Sequence, residues 1–136
     1  MNTTYWRNSI MNSTYGSGSY YIGLSSTEPQ PNGTGVTEPP TSGTAYARVS
    51  VGGFSSAVDG AVHNTSAITF PESTSTWFPL NAPATHWVLF DGTGANAHVL
   101  SAGTLEEPIS ILQNTTISIA ATKIVITLID AVTPSV

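Results

Sequence analysis

Three histidines are the residues of this sequence best suited to binding a metal ion. His63, His86 and His98 offer the imidazole nitrogens that zinc prefers, and three protein ligands suffice for a catalytic zinc site. Their spacing matches no compact ligand motif, and His86 and His98 lie in or beside apolar segments. A histidine in such a position is more often a core or rim residue than a ligand. We therefore expect no metal at these residues.

Acidic residues offer two further candidate sites. The segment Asp91-Gly-Thr-Gly-Ala-Asn is similar to a calcium-binding loop, but it lacks the further acidic ligands and the closing glutamate of an EF-hand. We expect a hairpin turn there. Glu106 and Glu107 are adjacent and precede Pro108. Neighbouring residues of an extended chain point to opposite faces, so these carboxylates would not share one substrate. A solvated turn is the favoured interpretation.

Covalent catalysis has little support in the sequence. The chain has many serines but no G-x-S-x-G elbow, and it has no cysteine for thiol chemistry. It also contains no P-loop and no dinucleotide-binding fingerprint. A small hydrolase with a triad assembled from distant residues is the remaining enzymatic alternative. We predict a protein that is not an enzyme and that uses no cofactor.

The composition is that of one weakly charged domain. The chain has 136 residues, of which 40% are hydrophobic and only 8% charged, and its net charge is −5. Three basic residues are too few for a phosphate-binding surface, so nucleic acid is not an expected partner. The longest apolar run, residues 124–132, is far shorter than the roughly 20 residues of a membrane span. No membrane contact is expected.

The periodicity of apolar residues predicts one helix followed by strands. A short helix is predicted over residues 4–12, where Thr4 is a candidate N-cap. From Tyr20 onward, and clearly over residues 45–51, the side chains alternate as in β-strands. The continuous apolar run Trp87–Phe90 predicts a strand buried on both faces. The apolar phase flips after Thr122, which requires a turn or bulge near residues 121–123.

These segments predict a mainly β fold. The expected architecture is a single-domain antiparallel β-sandwich, jelly-roll-like, of about seven or eight strands with a short N-terminal helix. The predicted organisation is an N-terminal arm with the helix over residues 1–18, the β-sandwich over residues 19–130 and a C-terminal tail over residues 131–136.

Two long loops and the low charge predict contacts with other chains. Residues 25–44 hold four prolines and three glycines, and residues 71–84 hold three prolines; loops of this length are usually functional. Few charges leave sheet edges unguarded, which favours an assembled state. Trp87 is expected in the core, whereas Trp77 and Phe78 are either lids on the core or interface anchors. The candidate interface residues are Tyr5, Trp6, Met11, Pro29, Pro31, Pro39, Pro40, Trp77 and Phe78.

Several segments together resemble a known family. They are Tyr21-Ile-Gly-Leu-Ser-Ser-Thr-Glu-Pro, Gly33-Thr-Gly-Val-Thr-Glu-Pro, Ala45-Tyr-Ala-Arg-Val, Val62-His-Asn-Thr-Ser-Ala-Ile-Thr-Phe-Pro, Thr85-His-Trp-Val-Leu-Phe-Asp and Ile117-Ser-Ile-Ala-Ala-Thr-Lys-Ile-Val-Ile-Thr-Leu. In this order they resemble small bacteriophage tail-fibre or minor virion structural proteins. The resemblance implies a short helical segment before the first strand, a place in the virion and no catalytic residues.

The resemblance leads to an expected function. It implies a small multi-copy component of the phage particle surface, either head decoration or a tail-associated fibre protein, that acts through protein–protein contacts. A receptor-binding fibre is usually long, so a surface-docked repeated subunit is expected over a freely projecting fibre. The expected partners are capsid or tail proteins and further copies of the chain, in a virion assembled in the bacterial host cytoplasm. The alternative is a glycan-binding module, in which Trp77, Phe78 or Tyr46 contacts a host surface glycan.

Overall fold

The computed structural model describes residues 1–128 of the chain. This part contains one helix and eight strands, so the fold is mainly β, as predicted. The predicted C-terminal tail, residues 131–136, lies outside the described residues. The elements are α1 (Thr4–Tyr15), β1 (Tyr21–Ser25), β2 (Val49–Ser50), β3 (Ala61–His63), β4 (Ile68–Thr69), β5 (Ala84–Phe90), β6 (Val99–Ile109), β7 (Ser118–Ile119) and β8 (Val125–Thr127).

Helix α1 begins where a side chain caps its first turn. Thr3 is the N-cap, and its hydroxyl oxygen accepts the backbone N–H of Trp6 at 3.2 Å. A glycine follows at the C-cap. The helix predicted over residues 4–12 is confirmed and runs on to Tyr15, whose ring packs against that of Phe54 at a centroid distance of 5.1 Å.

Hydrogen bonds dock this polar helix on the turn before β3. The side-chain amides of Asn8 and Asn12 accept the backbone N–H groups of Gly60 and Ala57 at 2.7 and 2.8 Å. The Arg7 guanidinium donates to one carbonyl in that turn and one just after β8, at 3.2 and 3.3 Å. The helix is therefore fixed by polar contacts to the backbone and by a single buried methionine rather than by a broad apolar face.

The largest sheet has four antiparallel strands in the order β2-β1-β5-β6. Strand β5 lies inside it, with β1 on one side and β6 on the other. Trp87 and Leu89 belong to the main core, and Val88 and Phe90 are also buried although they alternate with them. The run Trp87–Phe90 is therefore buried on both faces of the sheet, as predicted.

Two short antiparallel ladders, β3 with β8 and β4 with β7, supply the remaining strands around the core. They meet at Asn64, whose side chain is fully buried. Its Oδ1 accepts the N–H of Ile124 at 2.9 Å, and its Nδ2 donates to the carbonyls of Ser66 and Ala120 at 2.9 and 3.1 Å. One amide thus satisfies three backbone groups, which explains the polar interruption between β3 and β4.

The turn predicted near residues 121–123 is confirmed. Thr122 has a φ of +71°, and its N–H donates to the backbone carbonyl of Asn64 at 2.9 Å. A left-handed residue reverses the chain locally. Because of this turn, half-buried Ile119 before it and buried Ile126 after it both reach the core despite their opposite phase.

The strand predicted over residues 45–51 is shorter than its sequence pattern. Only Val49 and Ser50 pair with β1. Ala45 has a φ of +62°, which is incompatible with a strand, and the chain before β2 is irregular. Tyr46 is buried there while Ala45 and Ala47 are exposed.

Candidate interaction surfaces

A half-buried ion pair lies within the proline-rich loop, which we define as residues 26–48 between β1 and β2. Glu38 Oε1 accepts a hydrogen bond from Arg48 Nη2 at 2.7 Å, and Glu38 Oε2 accepts one from Nε at 3.1 Å. Only 14% of the Arg48 side chain and 15% of the Glu38 side chain are exposed. A bidentate pair shielded in this way is stronger and better oriented than a surface pair.

Tyr46 ties the same carboxylate to the sheet. Its hydroxyl donates to Glu38 Oε2 at 2.6 Å and accepts the backbone N–H of Leu24 at 3.0 Å. Burial, and after it the charge of Glu38, raises the pKa of Tyr46 well above its ordinary value of 10.0. The phenol therefore stays protonated and remains a donor to Glu38.

Arg48 connects the proline-rich loop to the hairpin loop, which we define as residues 91–98 between β5 and β6. Its Nη1 donates to the carbonyls of Gly92 and Gly94 at 3.2 and 3.1 Å. The guanidinium carbon lies 3.5 Å from the centroid of the Phe90 ring, a cation–π contact. One arginine thus fixes two loops on one strand of the sheet.

The hairpin loop is closed by an exposed aspartate–histidine pair. Asp91 Oδ1 accepts the backbone N–H of His98 at 2.7 Å, and Asp91 Oδ2 lies 2.7 Å from His98 Nδ1. The hydrogen bond with the His98 side chain is the main cause that holds the pKa of Asp91 below its ordinary value. The hairpin turn predicted at Asp91 is confirmed, because consecutive strands β5 and β6 pair antiparallel across it.

A groove runs between the tip of the proline-rich loop and the first half of β6. It encloses about 320 Å³ and continues into a second depression of about 290 Å³ beside the hairpin loop. We call the two together the edge groove. Its lining residues are Glu28, Pro29, Gln30, Pro31, Asn32, Gly33, Ala97, His98, Val99, Leu100, Ser101 and Ala102.

A second, more apolar groove opens between the second half of β6 and the chain around β7. Its volume is about 350 Å³, and Lys123 and Glu106 face each other at its rim, 2.7 Å apart. We call it the Trp87 groove. Its apolar lining residues are Trp87, Leu105, Ile109, Ile119, Ala120 and Ile124.

The predicted interface residues fall into two groups. Tyr5 and Trp6 are exposed, by 81% and 55%, and we call these two neighbouring residues of α1 the helix patch. Pro31 and Pro40 are also exposed, and Pro29 is half-buried. The others, Met11, Pro39, Trp77 and Phe78, are buried.

Trp77 and Phe78 lie in the core, which agrees with the lid alternative. The Trp77 ring N–H donates to the carbonyl of Thr44 at 2.6 Å, and the ring meets that of Tyr46 edge-on at 5.2 Å. Phe78 pairs with Ile111 through its backbone. Trp77, Phe78 and Tyr46 therefore present no ring face on which a sugar could stack.

The three histidines do not converge. His63 Nδ1 lies 3.2 Å from the carbonyl of Asn64, His86 Nδ1 lies 2.8 Å from the Thr85 hydroxyl, and His98 faces its aspartate. Within residues 1–128, no group of three or more histidine, cysteine or acidic residues is placed to hold a metal ion. No helix of this described part is long and apolar enough to cross a bilayer.

One protein-family model matches almost the whole chain. It describes the podophage GP4 fiber I protein gp80, and the match covers residues 1–127. The chain belongs to this family. Membership supports a structural role in a phage fibre and a place in the virion. No curated protein matches the chain.

Sequence reasoning missed the Glu38–Arg48 pair and the edge groove. A signal was present for the pair. The chain has only three basic residues, and one of them, Arg48, is the only charged residue of residues 39–58. Such an isolated charge needs a partner when it is buried. The edge groove had no comparable signal, because it arises where a loop folds back beside a strand far along the chain.

Proposed function

We propose that this protein is a structural subunit of a podophage tail fibre that acts through contacts with other virion proteins. The match of residues 1–127 to the fibre I family carries the proposal. It favours the fibre over head decoration, the other location expected from the sequence. The role proposed is non-enzymatic, and assembly takes place in the host cytoplasm.

The anchoring of the loops supports a role in rigid protein–protein contacts. Glu38, Tyr46 and Arg48 fix the proline-rich loop and the hairpin loop on one sheet. A surface that is already ordered loses less conformational entropy when a partner binds. Such pre-organisation suits a subunit that makes one fixed set of contacts in a particle.

The helix patch is the proposed site of contact with a neighbouring virion protein. Tyr5 and Trp6 are the exposed aromatic residues of α1, and Asn8 and Asn12 dock the helix on the turn before β3; at helical spacing, Trp6 points away from these two asparagines. Tryptophan and tyrosine are the residue types that most often dominate binding energy at interfaces. The docked side holds the patch in a fixed orientation.

Localisation on purified particles tests this proposal. An epitope tag appended to the chain, detected by immunogold electron microscopy and confirmed by mass spectrometry, is expected to mark the tail. A tagged major capsid protein is the control, and it should mark the head. Label on the head would favour decoration, and absence of the chain from washed particles would exclude a virion role.

A further inference from the structure

The Trp87 groove lies beside a bulge in β6. The register with β5 jumps from His86↔Thr104 to Ala84↔Ile109, so residues 105–108 of β6 lie opposite a single residue of β5. Extra residues on one strand bend it and disrupt the pairing with its partner. The groove encloses about 350 Å³, within the range of about 300–1,000 Å³ that is usual for ligand pockets. It is therefore large enough to take up a bulky side chain.

The indole N–H of Trp87 has no protein partner at this groove. Only 6% of Trp87 is exposed, and within residues 1–128 no oxygen accepts a hydrogen bond from its Nε1. The nitrogen is not sealed in the core, because Arg7 Nε is the one unpartnered side-chain atom fully buried in this part of the chain. A largely buried indole N–H usually has an acceptor, since an unpaired donor costs free energy. Trp87 therefore offers a donor to an acceptor from outside the chain.

A carboxylate without a counter-charge lies at the rim of the same groove. Glu106 pairs with Lys123 at 2.7 Å, whereas the Glu107 carboxylate makes no ion pair and no hydrogen bond to any residue that the structure describes. Both glutamates line the groove. The rim thus keeps one unbalanced negative charge, which attracts a cationic group.

The remaining wall of the groove is mainly aliphatic. It includes Leu105, Ile109, Ile119 and Ile124. Aliphatic walls favour an apolar side chain over a sugar, because so little of the Trp87 ring is exposed that it offers no face for stacking. The indole N–H requires an oxygen acceptor next to that side chain, and a peptide carbonyl is such an acceptor. A peptide segment that also carries a cation satisfies the whole site.

The cation has to come from a different kind of chain. The sequence holds three basic residues, and residues 129–136 contain none of them. Arg7 donates to backbone carbonyls, Arg48 is paired with Glu38, and Lys123 already belongs to the rim. A second copy would also bring a further net charge of −5. Neither the end of this chain nor a second copy therefore suits the site.

We propose that the Trp87 groove binds an exposed peptide segment of a different virion protein, in which an apolar residue lies next to a lysine or arginine. The apolar side chain fills the groove, a backbone carbonyl accepts the Trp87 N–H, and the cation pairs with Glu107. The source of the segment rests on the proposed function, for which this inference supplies the chemistry of one partner. No residue of the helix patch lines the groove, so this is a second contact site.

Short peptides with blocked ends test this chemistry on the full chain. One probe places leucine before lysine between two alanines, a second reverses that order, and a third replaces the lysine by glutamate. In an NMR titration, at least one lysine peptide is expected to shift the Trp87 indole N–H resonance, and the glutamate peptide is expected to leave it in place. The N–H resonances of Trp77, which is bonded to Thr44, and of exposed Trp6 are the internal references.

A charge reversal at the rim tests the role of Glu107. Glu107→Lys is expected to weaken binding of the lysine peptide by about fivefold or more and to make the glutamate peptide the better ligand. Glu72→Lys is the matched control, because Glu72 is exposed, does not line the groove and gives the same change in net charge. This control should keep the preference for lysine.

Filling the groove is the second test. Ala120 lines it and is exposed, so Ala120→Phe is expected to block both kinds of peptide while the thermal unfolding temperature stays that of the wild type. The same variant should be depleted from purified particles. Tight peptide binding by a folded Ala120→Phe variant would place the peptide outside the groove and contradict the proposal.

The proposal is overturned if no lysine peptide shifts the Trp87 resonance at millimolar concentration, or if the glutamate peptide shifts it equally. Equal weakening by Glu72→Lys would also overturn it, since binding would then reflect net charge alone. A shift with disaccharides and not with peptides would overturn it in favour of a glycan. Peptide binding by a chain that is absent from washed particles would refute the fibre role and leave the groove chemistry intact, whereas a tail-bound chain without peptide binding would refute this inference alone.

Discussion

Gly103 of β6 lies directly beneath the indole of Trp87, its partner on β5. The two residues are opposite in the sheet register, and a Cβ atom at residue 103 would overlap the indole ring. A glycine on an edge strand weakens that strand unless an aromatic side chain from the neighbouring strand covers it. The Trp87 ring therefore covers Gly103 at the edge of the sheet, and the same ring lines the Trp87 groove.

Gly103→Ala is therefore expected to destabilise the protein. Overpacking a core contact costs about 1–3 kcal/mol, and here the rigid indole must move as a whole because the conflict is with its ring atoms Cε2, Cζ2 and Nε1. Urea unfolding gives the loss, and a changed tryptophan emission spectrum shows the displaced ring. Gly94→Ala is the control, because a Cβ at that position meets nothing within 4 Å. Equal stability of the two variants would contradict this packing.

Removing one member of the Glu38–Arg48 pair is expected to be costly. Glu38→Gln leaves the guanidinium without its counter-charge at a site where little of either side chain is exposed, and breaking a buried pair costs about 3–5 kcal/mol. Partial exposure puts the expected loss near the lower bound. Chemical denaturation measures it.

The matched control for that variant is Glu106→Gln. Glu106 and Lys123 lie at the same 2.7 Å separation, but this pair is exposed, and an exposed pair contributes little to stability because water and salt screen it. We expect Glu106→Gln to unfold like the wild type at neutral pH. If both variants lost equal stability, the Glu38–Arg48 pair would have no special role in holding the two loops.

The raised pKa of Tyr46 predicts a loss of stability in alkali. In the unfolded chain this phenol ionises near its ordinary pKa of 10.0, whereas in the folded chain burial, and then Glu38, keep it protonated. The stability it contributes is thus present below pH 10 and lost as the pH rises further, with a slope of up to about 1.4 kcal/mol per pH unit.

Tyr46→Phe should remove this part of the slope. The measurement is urea unfolding at several pH values between about pH 8 and about pH 11, spanning the unfolded-state titration. The variant is expected to be less stable at neutral pH, since Glu38 and the Leu24 N–H lose a partner. Tyr5→Phe, whose ring is exposed, should keep the wild-type slope. An unchanged slope in Tyr46→Phe would show that other groups cause the alkaline loss.

Much of the fold could be predicted because periodicity reports burial. The continuous run Trp87–Phe90 indicated a strand covered on both faces, and the phase flip after Thr122 located a turn. In both cases the signal lies within a few residues of the feature. The helix was found in the same way, although its true N-cap is Thr3 rather than Thr4.

The interaction surfaces depended on contacts that periodicity does not report. Alternation over residues 45–51 indicated one strand, but the positive φ of Ala45 ends it and directs Tyr46 into the core. The sequence left Trp77 open to both the lid and the anchor interpretation, and its burial and its hydrogen bond to Thr44 distinguish the two. Long-range partners of this kind are set by how loops fold back, which a local pattern cannot encode.

Trp6→Ala is expected to impair attachment of the subunit without affecting its fold. The Trp6 side chain is 55% exposed, so its loss should change stability by no more than about 0.5 kcal/mol, as for other surface substitutions. An interface anchor of this type contributes about 2 kcal/mol or more to binding, so the variant should be depleted from purified particles. Quantitative mass spectrometry against the major capsid protein measures its copy number. Leu80→Ala is the control. It removes an exposed apolar side chain that is distant from helix α1 in the sequence, and it should leave the copy number unchanged. Normal incorporation of Trp6→Ala and of Tyr5→Ala would place the contact elsewhere than on the helix patch.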